Sequence, residues 1–213
     1  MSDETFDRDF WERRWAQALR EHPDQVVSRP PNAHLVGEVG DLAPGIALDA
    51  GCGHGAEAIW LAASGWRVTA VDFSRTALDV ARSTAEGVGA DIAARIEWIE
   101  GDLGSWEPPH RRFDLVSCLF VHVAGSVREM VTRLGTAVAP GGTIVLVGHL
   151  PVDPATGEPS PAAGQSQVTV AEAIAALDAQ EWHIVVAEER ARAGGTGADA
   201  VVRGVYRPRV LDR

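Results

Sequence analysis

Apolar and polar positions recur with two different periods along this chain of 213 residues. Phe10, Trp11, Trp15, Ala18 and Leu19 follow a helical spacing that stops before His22-Pro23, so an amphipathic helix is predicted over 6–20. A second short helix is predicted over 32–39. Five short apolar runs follow, at 46–50, 67–72, 96–99, 113–119 and 143–148, each suited to a strand covered on both faces. The helical period returns between them, over 56–63 with Gly65 as its stop, and from the cap Ser74 through Leu78 and Ala81. Two capping boxes, Ser126 with Glu129 and Thr169 with Glu172, mark later helices. Two β-rich runs, 184–187 and 201–206, separated by Gly194-Gly195-Thr196-Gly197, predict a closing hairpin.

Strands alternating with helices imply an α/β fold with a doubly wound, mostly parallel sheet and a C-terminal antiparallel hairpin. Between Glu100 and Phe113 there is too little chain, rich in Gly and Pro, for a full crossover helix. The length suits a single domain over 1–213, with a helical cap at 1–42 and a core at 43–213. The Pro, Gly and Ala-rich stretch from Leu150 to Gln167 reads as a substrate lid or a surface loop.

Nineteen basic residues against 30 acidic ones leave a net charge of −11, which repels phosphate backbones and anionic lipid, so neither nucleic acid nor membrane is an expected partner. All nineteen are arginine, which excludes chemistry that needs a Schiff-base or phosphate-loop lysine. Two cysteines without metal or disulfide spacing, an acidic start and no long apolar run predict a soluble, unprocessed cytoplasmic protein. The histidines show no ligand spacing, and no metal site is expected.

The chemistry concentrates in Leu48-Asp49-Ala50-Gly51-Cys52-Gly53-His54-Gly55-Ala56 and in Val71-Asp72-Phe73. Glycine at 51, 53 and 55 permits φ > 0 and lets a ligand lie against the main chain. Asp72 ends the next strand, about 20 residues on, where a carboxylate can take ribose hydroxyls, and it also sits favourably before the helix starting at Ser74. The Gly-x-Gly-x-Gly spacing differs from the dinucleotide Gly-x-Gly-x-x-Gly form that sets a pyrophosphate on a helix N-terminus, and it favours a ligand without phosphates.

This acid-x-Gly-x-Gly-x-Gly motif, with the acid after the second strand, resembles the class I S-adenosylmethionine-dependent methyltransferases, near the tellurite-resistance and thiopurine types. The resemblance covers the whole succession of elements, including the Gly141-Gly142 turn. It implies seven strands with the last antiparallel, and S-adenosyl-L-methionine as cofactor. Gly51 and Gly53 would hold its methionine end, Asp72 its ribose and Asp102 its adenine amine, with Leu103 offering a backbone N–H. Asp102 also reads as an acidic turn residue. Asp49 reads as a buried acid orienting the loop, Phe73 as an adenine cover or a sheet-packing residue, and Cys52 and Cys118 join the cofactor contacts. Trp11 and Trp15 are lid candidates.

A methyl group on a sulfonium is already activated, so the residues' task is alignment and exclusion of water, with a base needed mainly for hydroxyl or thiol acceptors. His122, after the strand at 113–119, is the candidate base, and His149 has a similar, weaker claim. The chain lacks the polar, two-proline, aromatic pattern of adenine and glutamine amino-group methyltransferases. A small-molecule acceptor is expected. The rival readings are an NAD(P)-type oxidoreductase and a non-catalytic S-adenosylmethionine-binding regulator.

Overall fold

The computed structural model describes residues 8–154, 156–160, 164–192 and 197–208. Its first elements are three helices, α1 (Arg8–Glu21), α2 (Pro23–Val27) and α3 (Ala33–Val39), followed by strand β1 (Ile46–Ala50), helix α4 (Ala56–Ala63), strand β2 (Arg67–Asp72), helices α5 (Arg75–Val88) and α6 (Ala90–Ala93) and strand β3 (Ile96–Glu100). Then come β4 (Phe113–Leu119), α7 (Val127–Ala137), β5 (Val138–His149), α8 (Val170–Ala176), β6 (Trp182–Ala191) and β7 (Ala198–Tyr206). The seven strands belong to a mixed, mostly parallel sheet, and the chain's contacts divide into two units, 1–106 and 107–213.

In the first unit the order is β3-β2-β1, all parallel, with Asp49 beside Ala70 and Asp72 beside Glu100. β1 and β2 are buried over nearly their whole length, as their unbroken apolar runs require. Helix α5 forms because Ser74 caps it, its hydroxyl accepting from the Ala77 N–H, and because Leu78, Ala81 and Ala85 bring one apolar face to the core. Asn32 caps α3 by accepting from the His34 and Leu35 N–H groups, which fixes the start predicted for that helix. Helices α2 and α6 are too short for a periodic signal and were not predicted.

In the second unit the order is β4-β5-β7-β6, with β4 and β5 parallel and β7 antiparallel to both its neighbours. The caps Ser126 and Thr169 accept from the N–H groups of Glu129 and Glu172, as the two capping boxes predict. Strand β5 begins five residues earlier than its apolar run, because the chain from Val138 already pairs with Phe113. Gly142 packs against the Phe113 carbonyl, so a Cβ there would sit 2.9 Å from that oxygen. Residues 193–196, most of the predicted hairpin turn, lie outside the described residues, and β6 and β7 run longer than their apolar cores. Residues 101–112 contain no helix, as their composition predicts. No helix among the described residues is long and apolar enough to cross a membrane.

Candidate functional site

Strand β1 delivers the chain into the glycine loop, where Gly51, Gly53 and Gly55 take φ of +81°, +51° and +85°. The N–H groups of Gly51 and Cys52 both bond to the Val71 carbonyl, at 2.8 and 3.1 Å, so the loop is stitched to the end of β2. Gly55 faces inward: a Cβ there would lie 2.7 Å from Trp98 and 2.8 Å from Ala81, so this glycine seats α4 against β3 and α5.

Asp72 sits at the end of β2 with 8% of its surface exposed. Its Oδ2 accepts from the Gly53 N–H at 2.8 Å and its Oδ1 from the Ser74 N–H at 2.9 Å. Burial pushes its carboxyl above the usual aspartate range, against the pull of these backbone donors. Each oxygen retains a lone pair beyond its backbone bond, which is the capacity that two ribose hydroxyls would use. Asp49 is buried in β1, directly before the loop. Cys52 is buried too, and burial with the charges of Asp72 and Asp49 drives its thiol well above the ordinary value, so it packs as a small neutral group.

The turn after β3 begins beside Asp72, whose carbonyl accepts from the Gly101 N–H at 3.0 Å. Asp102 is exposed there, and its Oδ1 accepts from Gly104 N–H at 2.8 Å, so it holds the turn. Leu103 is buried and Phe73 half-buried.

Of the two lid candidates, Trp15 lies against the loop. A Cβ on Gly53 would meet the Trp15 ring at 2.9 Å, and that ring lies 5.5 Å from the His54 ring, tilted by 42°. Trp11 instead stacks edge-on with Phe10 and under Arg14. Helix α1 is held down at two further points that the sequence reading missed. Glu12 accepts from the backbone and hydroxyl of Thr76 at the start of α5, and Arg8 joins Arg75 in pairing with Glu100. The available signal was the spacing Arg8, Glu12, Trp15, which lies on one helix face.

His54 was also passed over, as a residue between two glycines. Its imidazole is buried, and neither ring nitrogen has a hydrogen-bond partner among the described residues. Burial, then the charge of Arg29, lowers its pKa to about 4, so the ring is neutral at neutral pH. A cradle of main chain, a carboxylate with spare lone pairs and a buried imidazole with both nitrogens open fit a polar nucleoside ligand.

In the second unit Cys118 is fully buried in β4. His122 Nδ1 lies 3.0 Å from the Ser166 carbonyl. His149, at the end of β5, has richer surroundings: its Nδ1 is 2.9 Å from Asp199 Oδ1 and 2.7 Å from Arg192 Nη2, and Phe120 stacks on its ring at 4.0 Å. One nitrogen cannot donate to the acid and accept from the guanidinium at once, so the dyad has two settings. In the first, Nδ1–H bonds Asp199 and the lone pair is on Nε2. Phe120 reaches its stacked position with φ at +55°, a conformation few side chains adopt.

No group of three or more histidine, cysteine, aspartate or glutamate residues that could hold a metal ion occurs among the described residues.

Comparison with known proteins agrees with this layout. Residues 47–142 match a methyltransferase domain family. A probable thiol methyltransferase of Arabidopsis thaliana is 32% identical over 152 residues, 70% of this chain and 65% of that protein. A release factor glutamine methyltransferase of Rhodopirellula baltica is 30% identical over 147 residues, 61% of this chain and 49% of its own. The chain thus spans about half to two thirds of the length of these relatives. Among solved structures, the N-methyltransferase NodS of Bradyrhizobium japonicum, in complex with S-adenosylhomocysteine, superposes with a TM-score of 0.68 at 18% identity, covering 92% of this chain and 97% of that one, and shows the same fold. The glycine loop and the acid of β2 lie inside the matched segment, so residues 47–142 carry a methyltransferase domain, and the fold is the one seen in S-adenosylmethionine-dependent methyltransferases.

Proposed function

We propose that the protein transfers a methyl group from S-adenosylmethionine to a small-molecule acceptor, as a single methyltransferase domain with a helical cap. The observation that carries this reading is Asp72, buried at the end of β2 and tied by the Gly53 N–H to a loop whose three glycines take positive φ. When bound, the cofactor supplies a methyl group activated by the sulfonium charge. The chain's own residues then have to position and exclude water. Gly51 and Gly53 let the main chain approach the ligand, and the free lone pairs of Asp72 take hydroxyls. Asp49 stiffens the strand behind the loop, while Asp102, Leu103, Phe73 and Cys52 serve the cofactor's surroundings. Trp15, packed on Gly53, closes the loop from above.

An acceptor that brings a proton needs a base. His149 is better held for this than His122, because Asp199 fixes its Nδ1 and Phe120 fixes its ring plane. The name of the Arabidopsis relative makes small thiols the first acceptors to try. The charge of −11 supports an acceptor other than nucleic acid, and two free cysteines support a reducing, cytoplasmic setting.

Calorimetry with S-adenosylhomocysteine tests the site. Ligand at about 100 times Kd stabilises the fold by about 2.7 kcal/mol, so the melting temperature rises by several degrees. No rise, or a comparable rise with NAD, overturns the reading. Methyl transfer from labelled S-adenosylmethionine to a panel of thiols, phenols and amines then tests the acceptor class. Transfer to none of them at cofactor-binding concentrations favours a non-catalytic binding protein.

A further inference from the structure

Three polar groups of the second unit form a triangle. Asp199 Oδ1 accepts from Arg192 Nε at 2.8 Å, His149 Nδ1 lies 2.9 Å from that same oxygen, and Arg192 Nη2 lies 2.7 Å from His149 Nδ1. The triangle cannot be satisfied on all sides. With the proton on Nδ1 the ring bonds Asp199, and the guanidinium, which has donors only, presents one N–H to another. With the proton on Nε2 the guanidinium donates to Nδ1, and the Nδ1 lone pair lies beside the carboxylate oxygen without a donor between them. Each setting keeps one repulsive contact, so the uncharged ring is shared between the two, and the first alone has the Nε2 lone pair that a base requires.

Of the three corners, Arg192 is the adjustable one. The Asp199 side chain is 3% exposed, and Phe120, stacked at 4.0 Å, holds the plane of the His149 ring. Arg192 is a quarter exposed, and it lies against Gly197, where a Cβ would come 3.4 Å from its Cζ and Nη1. Of its five N–H donors, the one on Nε and one on Nη2 are engaged, whereas both on Nη1 and the second on Nη2 have no partner among the described residues. Hydrogens on two adjacent Nη atoms form the fork that takes a carboxylate bidentately, and an uncharged amide oxygen binds it more weakly. A carboxylate that draws this fork outward removes the repulsive contact of the first setting: Nε–H and Nδ1–H both stay on Asp199, and the Nη hydrogens go to the new anion.

We propose that Arg192 is the seat for a carboxylate carried by the methyl acceptor, and that filling this seat shifts His149 to the setting in which it serves as the base. This rests on the methyl-transfer reading above and narrows its acceptors to small thiols that bear a carboxylate. The shift needs no net proton: the Nε2–H bond breaks, the Nδ1–H bond forms by exchange with solvent, and the ring stays uncharged. The S–H proton of the acceptor then passes to the Nε2 lone pair. Arg192 acts as a specificity-determining and positioning residue, since it holds the acceptor's far end and sets the proton on its neighbour.

The test compares 3-mercaptopropionate with 3-mercaptopropionamide, thiols of one length that differ in charge. With S-adenosylmethionine saturating, the full chain should have a KM for the carboxylate lower by about tenfold or more, the effect of a hydrogen bond to a charged group. Arg192→Gln should raise that KM by about tenfold and raise kcat for the amide, because Nδ1 then has no rival to Asp199; a merely structural role would lower kcat for both thiols. Nitrogen-15 NMR of the imidazole rings reads the proton's position without any cofactor, with the His149 signals identified by their loss in His149→Gln. Propionate should move those signals toward the Nδ1–H form in the wild type, and Arg192→Gln should show that form with or without propionate. Equal KM values, His149 signals that propionate does not move, or a kcat that falls for both thiols in Arg192→Gln overturns the proposal. Transfer to neither thiol by protein that binds S-adenosylhomocysteine overturns the acceptor class proposed here. Failure to bind S-adenosylhomocysteine overturns the methyl-transfer reading instead, and the propionate titration then still decides whether Arg192 is a carboxylate seat.

Discussion

Gly53 and Asp72 are joined by a hydrogen bond of 2.8 Å from the backbone N–H of one to the carboxylate of the other, across 19 residues of chain. The bond makes the acid at the end of β2 part of the glycine loop, so the loop's shape and the acid's position are one structural fact. Asp72→Ala removes the acceptor for two buried N–H groups, those of Gly53 and Ser74. We expect a loss of about 2 kcal/mol, seen as a melting temperature lower by roughly 4–8 °C. S-adenosylhomocysteine should no longer raise it. A variant that melts and binds like wild type contradicts both roles.

Gly55 has a different duty from the other loop glycines. At φ +85° any side chain carries left-handed strain of about 1–2 kcal/mol, and here a Cβ would also overlap Trp98 and Ala81. Gly55→Ala should therefore cost about 2–4 kcal/mol by denaturant unfolding. Gly141→Ala is the matched comparison, with φ +80° and nothing within 4 Å of its Cβ, and should cost only the backbone part. Equal losses would show that packing on Trp98 is unimportant.

The glycine loop, its acid and the helix caps were legible because each is written in local sequence: Ser74, Ser126 and Thr169 cap the helices their spacing promised. The partners of α1 were not. Nothing local says that Glu12 meets Thr76, 64 residues on, or that Arg8 meets Glu100, 92 residues on. The same holds for His149, whose acid lies 50 residues later on β7 and becomes its neighbour only through antiparallel pairing. Asp102 was ambiguous in sequence for a physical reason. A carboxylate after a strand can hold a ligand or its own turn, and here the Oδ1 takes the Gly104 N–H while the rest of the group is exposed.

That antiparallel pairing leads to a ranking of the two candidate bases. For a thiol or hydroxyl acceptor, His149→Ala should lower kcat by about 10²–10⁴, the usual worth of a positioned base. Asp199→Asn should give a smaller loss by freeing the ring to turn, and His122→Ala should stay close to wild type. Steady-state kinetics under saturating cofactor decide it, and the opposite ranking returns the role to His122.

The same pair predicts how acid acts on the second unit. Asp199 is buried, which alone would raise its carboxyl, but hydrogen bonds from His149 and Arg192, with their charges, outweigh burial and hold it below the ordinary aspartate value of 3.8. A carboxyl depressed by folding adds stability above its unfolded value, and that stability drains away as pH falls from about 3.8 through the lower folded value. Asp199→Asn has no such term. The wild type should therefore melt higher than the variant at about pH 6, and the gap should narrow as pH falls below about 4, because protonation then does to the wild type what the substitution did to the variant. Calorimetric melts of both proteins across that range check the sign: a gap that widens in acid would mean that Asp199 is stabilised as the neutral acid and that His149 and Arg192 do not hold it as a carboxylate.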